Sequence, residues 1–125
     1  MSKILIVEDD KNVLKALVIR LHARGYEVVT AQDAVMALAA VRDERPDLVL
    51  LDISLPAGNG FEVASRIRDE PAVANTPLIF ITASRRPGLR ERAEGLGAAA
   101  FFEKPYEAQQ LLDSVEATLG TPSGC

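Results

Sequence analysis

The chain has 125 residues, 48% of them hydrophobic, with 14 Lys and Arg against 18 Asp and Glu. A single domain of this size buries a core of its own without a disulfide or a metal staple, and the formal net charge of −4 argues against a non-specific grip on a nucleic-acid backbone. The lone cysteine, Cys125, excludes an intramolecular disulfide and a cysteine-based zinc site, and the early apolar run Ile4–Val7 is too short for a signal peptide or a spanning helix. A soluble, cytoplasmic, single-domain protein is the expectation, with no membrane association and no direct binding of nucleic acid.

Short apolar runs alternate with helical patterns five times. Lys3–Val7 is a continuous apolar strand that stops at Glu8-Asp9-Asp10. A helix follows with Val13, Leu14, Leu17 and Leu21 on one face, and Gly25 stands where a left-handed closing residue belongs. Tyr26–Ala31 reads as the second strand. Asp33 caps the next helix, whose stripe is Ala34, Ala37, Leu38 and Val41, with Pro46 beyond its end. Leu48–Leu51 is the third strand and ends at Asp52. A segment of turn residues, Leu55–Gly60, leads to a helix carrying Phe61, Ala64 and Ile67.

Pro77–Ile81 is the fourth strand and ends at Thr82. Leu89, Ala93 and Leu96 mark a shorter helix closed by Gly97. Ala98–Phe102 is the fifth strand; Phe101 and Phe102 alternate along it, one facing in and one out. After Glu103-Lys104-Pro105, the last helix runs from about Glu107 to Leu119, with Leu111, Leu112, Val115 and Leu119 inward. The domain is expected over residues 1–119, and 120–125 as a flexible tail or linker stump.

Strands apolar on both faces belong to a parallel sheet covered by helices. The expected fold is α/β, a doubly wound (βα)5 three-layer sandwich with a five-stranded parallel sheet in the order 2-1-3-4-5. Ligands of such sheets bind beyond the carboxyl ends of the strands, at the switch in strand order. The unusual polar residues fall there: Glu8, Asp9 and Asp10 after strand one, Asp52 after strand three, Thr82 after strand four and Lys104 after strand five. Glu8, Asp9 and Asp52 in one crevice repel one another, and a hard divalent cation with an oxygen shell relieves the repulsion. A carboxylate beside a cation, an ammonium and a hydroxyl is arranged to attack and then hold a phosphoryl group.

The stretches Ile4–Asp10, Leu50–Pro56 with Gly60, Ile81-Thr82-Ala83, and Gly97-Ala98 through Lys104-Pro105 resemble the receiver domain of two-component response regulators, the CheY-like family. The likeness runs from residue 3 to about 119. It implies Asp52 as phosphoacceptor, and Mg²⁺ or Mn²⁺ held by Asp9, by Asp52, by the backbone carbonyl of Ser54 and, through water, by Glu8. It further implies that Thr82 and Lys104 contact the phosphoryl oxygens, that the Lys104–Pro105 bond is cis, and that Thr82 and Phe101 form the switch. The phosphoryl donor would be a phosphohistidine of a sensor histidine kinase or phosphotransfer protein. The recipient of the signal would be a downstream protein or a linked output domain, reached through helix four, strand five and helix five. Such a protein is a signalling switch rather than a turnover enzyme, although it promotes its own phosphorylation and dephosphorylation.

Some positions depart from common versions of the family. Phe101 lacks the hydroxyl of a switch tyrosine, and Ala99-Ala100 replaces the acidic pair of winged-helix regulators. A monomer or a phosphorylation-dependent dimer is therefore expected rather than their salt-bridged dimer. Ser54 and Ser84 occupy the positions that tune phosphate lifetime.

Competing readings meet specific obstacles. An aspartate-nucleophile phosphatase of the haloacid-dehalogenase type needs a second acid where Ser54 stands, and a nucleotide-driven kinase needs a GxxxxGK loop that is missing. A pseudo-receiver, a constitutive protein-binding module never phosphorylated, is the alternative. Asp10 reads as a helix cap, His22 as a surface residue, and the cluster Arg85, Arg86, Arg90 and Arg92 as a solvated face or a partner site.

Overall fold

The computed structural model of the protein describes residues 1–56 and 58–120; of the expected tail, residues 121–125, Cys125 included, lie outside the described residues. The elements follow in the order β1 (Lys3–Val7), α1 (Lys11–Ala23), β2 (Glu27–Ala31), α2 (Ala34–Glu44), β3 (Leu48–Asp52), β4 (Ser54–Leu55), β5 (Gly58–Asn59), α3 (Gly60–Asp69), β6 (Leu78–Thr82), α4 (Leu89–Gly95), β7 (Ala100–Glu103) and α5 (Ala108–Leu119). Five parallel strands make one sheet in the order β2-β1-β3-β6-β7, the doubly wound arrangement that the strand pattern predicts. The short strands β4 and β5 pair as an antiparallel hairpin that starts one residue before the expected turn segment Leu55–Gly60 and runs into it.

Alternation along the strands divides the core in two. Leu5, Val7, Val49, Leu51, Leu78 and Phe80 pack with side chains of α2, α3 and α4, among them Val41, Phe61, Ile67 and Ala93. Ile4, Ile6, Leu48, Leu50, Ile79 and Ile81 pack with Leu14, Leu17 and Leu21 of α1 and Leu111, Leu112 and Val115 of α5. Each fully buried Leu, Ile, Val or Phe contributes about 1.5–3 kcal/mol. With both faces covered, polar groups have room only at the strand ends.

Local chemistry starts and stops the helices. Asp10 Oδ1 accepts from the Asn12 and Val13 amides at 2.9 and 3.2 Å, and Asp33 Oδ1 accepts from Met36 N at 2.8 Å. Gly25 takes φ +87° after α1, a conformation that disfavours any residue with a Cβ.

The fifth sheet strand begins two residues later than the apolar run suggests. The Ala98 amide is taken by the carbonyl of Ala93 at 3.1 Å, which closes α4, so the bridging register with β6 starts at Ala100. Phe101 and Phe102 do point to opposite faces, but neither faces solvent alone: Phe101 packs with the α2–α4 side and Phe102 with the α1–α5 side. The expectation of one residue in and one out fails because helices cover both faces.

Arg68 on α3 ties three segments together. Its Nε donates to the Leu96 carbonyl at 2.8 Å, and its Nη1 donates to Ala74 and Thr76 carbonyls at 2.8 and 2.7 Å. Burial pulls its pKa down, and its partners are neutral carbonyls. The clamp holds the end of α4 and the α3–β6 connection at the edge opposite the strand ends that carry the polar residues. Arg68→Ala is expected to cost about 2–3 kcal/mol, because it leaves half-buried carbonyls unpaired. Arg68→Lys restores little, since an ammonium cannot span that fork. Urea unfolding checks this; a wild-type midpoint for Arg68→Ala would contradict the clamp.

Candidate functional site

The sheet register sets two carboxylates side by side. Val7 and Leu51 are partners in neighbouring strands, so Glu8 and Asp52 emerge next to each other at the carboxyl edge. Glu8 is fully buried, Asp52 is 3% exposed, and Asp9 is exposed. Carboxylate oxygens of Glu8, Asp9 and Asp52 all lie within 4.8 Å of one another.

Lys104 arrives from the far side of the sheet. Its amide donates to the Thr82 carbonyl at 2.7 Å, its peptide bond to Pro105 is cis, and its Nζ donates to Glu8 Oε1 at 2.6 Å and Asp52 Oδ2 at 3.0 Å. The remaining oxygens are also engaged: Glu8 Oε2 accepts from the Asp10 amide at 3.1 Å, and Asp52 Oδ1 accepts from the Ser54 amide at 3.0 Å. Asp52 is thereby oriented at both oxygens. The Asp9 carboxylate has no hydrogen bond or ion pair among the described residues, and Asp10 serves as the α1 cap.

Thr82 is buried at the end of β6, and its hydroxyl accepts from the Ser84 amide at 3.0 Å, which leaves the hydroxyl proton available. No side-chain bond joins Thr82 to Asp52 or Lys104 among the described residues. Phe101 packs under Arg90, whose Cζ is 4.7 Å from the ring centroid. Gly60 opens α3 against the turn that follows Asp52: a Cβ there would overlap the Asp52 carbonyl oxygen and lie 2.9 Å from Ile53 Cα. Only glycine allows that approach, and Asn59 caps the helix one residue earlier.

Charge is short by more than one positive group. Burial pushes Glu8 up to about 7; its bond to Lys104 opposes the shift, and neighbouring Asp52 reinforces it. Burial pulls Lys104 down, but its bonds to Glu8 and Asp52 outweigh this and raise it. The excess negative charge and the oxygen-only donor set fit a hard divalent cation, as Mg²⁺ and Mn²⁺ are.

Comparison with known proteins agrees with this geometry. Residues 4–116 match the response regulator receiver domain family. The chain belongs to the response regulator receiver family of two-component systems. It is 32% identical to the polar-differentiation response regulator DivK of Brucella anthropi over 119 residues, 95% of this chain and 97% of that protein. The non-phosphorylated HemR receiver domain of Leptospira biflexa superposes with a TM-score of 0.88 at 35% identity, covering 96% and 95% of the two chains. The BeF3-activated N-terminal receiver domain of Klebsiella pneumoniae RstA does so at 0.86 and 27% identity, covering 94% and 98%. Receiver domains are signalling domains, and no helix among the described residues is long and apolar enough to cross a membrane.

In this receiver the four arginines around α4 do not form one face. Arg85 pairs with Glu103 at 2.6 Å, Arg90 covers Phe101, and Arg86 and Arg92 line a crevice of about 310 Å³ that also takes in Asp9 and Ser54. Spacing along the chain cannot separate these destinations, because the division depends on where β7 and α3 lie.

The raised Glu8 pKa carries a pH signature. Between the ordinary value near 4.5 and about 7, the folded chain keeps a proton that the unfolded chain has lost, so stability falls as pH rises through that window. Lys104 adds no slope there, because its contribution is complete below its ordinary value of 10.5. Denaturant unfolding in EDTA from pH 4.5 to 7.5 is expected to show the decline, and Glu8→Gln should flatten it. An unchanged slope in Glu8→Gln would contradict the assignment.

Proposed function

We propose that the protein accepts a phosphoryl group on Asp52 from a phosphohistidine of a sensor histidine kinase or phosphotransfer protein, and that the modified form signals through α4, β7 and α5. The observation that carries the reading is the state of Asp52, a carboxylate oriented at both oxygens with an ammonium 3.0 Å away. An Asp52 oxygen forms the new bond to phosphorus as the P–N bond of the phosphohistidine breaks, and the imidazole nitrogen keeps the electron pair and is free to take up a proton. Lys104 then holds a phosphoryl oxygen, and Thr82, whose proton is not committed, donates to another. BeF3 activation of the related RstA receiver domain supports the same chemistry here.

Asp9, Asp52 and the Ser54 carbonyl would hold Mg²⁺ or Mn²⁺, with Glu8 acting through water. Bound there, the ion spreads the charge that builds on the transferring oxygens. Glu8 has both oxygens engaged and Asp9 has neither, which supports Asp9 as the direct ligand. Once Asp52 is phosphorylated, Thr82 is drawn toward the new oxygens and Phe101 follows it inward, a shift between two pre-existing populations. The downstream recipient is a protein or an output domain, and the setting is cytoplasmic.

Intact mass after incubation with acetyl phosphate tests the reading. One phosphoryl gain that needs Mg²⁺ and disappears in Asp52→Asn is expected. Thr82→Ala is expected to keep the gain but slow it by about tenfold, the effect of one lost transition-state donor of roughly 1.4 kcal/mol. No gain in any condition would leave a constitutive docking module.

A further inference from the structure

The crevice beside the acidic group has a cationic component that no carboxylate neutralises among the described residues. Arg86 and Arg92 line it together with Asp9 and Ser54, and neither has a carboxylate partner among the described residues, whereas Arg85 is neutralised by Glu103. Arg92 is exposed, and its Cζ lies 4.6 Å from the centroid of Phe61, which lines the same crevice, so the stack holds the guanidinium at the rim. An incoming phosphoryl donor is an anion, and it must approach Glu8, Asp9 and Asp52, which among the described residues Lys104 alone offsets within the cluster, joined by the divalent cation when that is bound. Cations that line the route raise the local concentration of such a donor, and a guanidinium matches phosphoryl oxygens in geometry as well as charge.

We propose that Arg86 and Arg92 form an anion-receiving subsite that captures the phosphoryl group of the donor before its transfer to Asp52. The inference rests on Asp52 as the phosphoacceptor. Both arginines are positioning residues: transfer itself is unchanged, the Asp52 oxygen bonding to phosphorus as acetate leaves acetyl phosphate or ammonia leaves phosphoramidate. Those two donors represent the P–O and P–N sources of one shared group.

Labelling rates followed by intact mass, at saturating Mg²⁺ and a series of donor concentrations, test the subsite. In Arg86→Ala/Arg92→Ala the donor concentration giving half-maximal rate should rise at least about fivefold for both donors, while the maximal rate stays within about twofold. Arg86→Lys/Arg92→Lys should recover part of the loss, the share owed to charge, which a merely misfolded alanine variant would not explain. Salt at about 0.5 M should weaken the wild type toward the double alanine variant and change that variant little. Arg66→Ala removes an exposed charge from α3 outside the crevice and should match the wild type. An unchanged half-maximal concentration in the double alanine variant, or an equal rise in Arg66→Ala, overturns the subsite while Asp52 remains the acceptor. A wild type that takes no label, or an Asp52→Asn variant that does, overturns the phosphoacceptor reading and the subsite with it. Label gained only from acetyl phosphate would restrict Asp52 to P–O donors and overturn a subsite shared by both sources.

Discussion

Lys104 brings one positive charge to two carboxylates, 2.6 Å from Glu8 and 3.0 Å from Asp52, where water reaches neither acid freely. Removing the partner of a buried charge costs on the order of 3–5 kcal/mol, a large share of the roughly 5–15 kcal/mol that holds a domain folded. The ammonium therefore contributes to the stability of the fold as well as to the charge balance of the site. It is also insufficient, because Asp9 adds a third negative charge to the same few ångströms. A proton on Glu8, a divalent cation and a ligand's counter-charges are competing answers to that excess, so the site is tuned by what it binds.

The sheet explains why these groups meet. Strands buried on both faces can carry polar side chains only at their ends, and the parallel register brings the ends of β1 and β3 together at Glu8 and Asp52. The Lys104 backbone is pinned to Thr82 at the end of β6, from which its long side chain spans back to β3. Gly60 then lets α3 begin against the Asp52 backbone, so a single missing Cβ helps to set the turn that follows β3. At the opposite edge, Arg68 anchors the end of α4. The beginning of that helix has no side-chain cap, and its left-handed Gly88 leaves that end the weaker one.

Much of this was legible in the residues. Apolar runs located the strands of the sheet, Asp10 and Asp33 announced two helices, and the polar residues at the strand ends pointed to one edge. What escaped was one local closure and two long-range placements. The Ala98 amide could serve a strand or close a helix, and left-handed Gly97 turns it back onto the Ala93 carbonyl. Arg68 looks like any charge on an amphipathic helix until the carbonyls of Ala74, Thr76 and Leu96 are seen around it. The arginines near α4 read as one cluster along the chain, yet they serve an ion pair, an aromatic ring and a crevice.

The identity of the acceptor atom is the central claim, because Glu8, Asp9 and Asp52 all offer carboxylates within one small volume. Borohydride reduction of the acetyl phosphate-treated protein, followed by peptide mass mapping, reads it directly, since an aspartyl phosphate is reduced to homoserine. Homoserine at position 52, formed only with Mg²⁺ present, is the predicted result. Reduction at Glu8 or Asp9, or at no carboxylate of the site, would contradict the account.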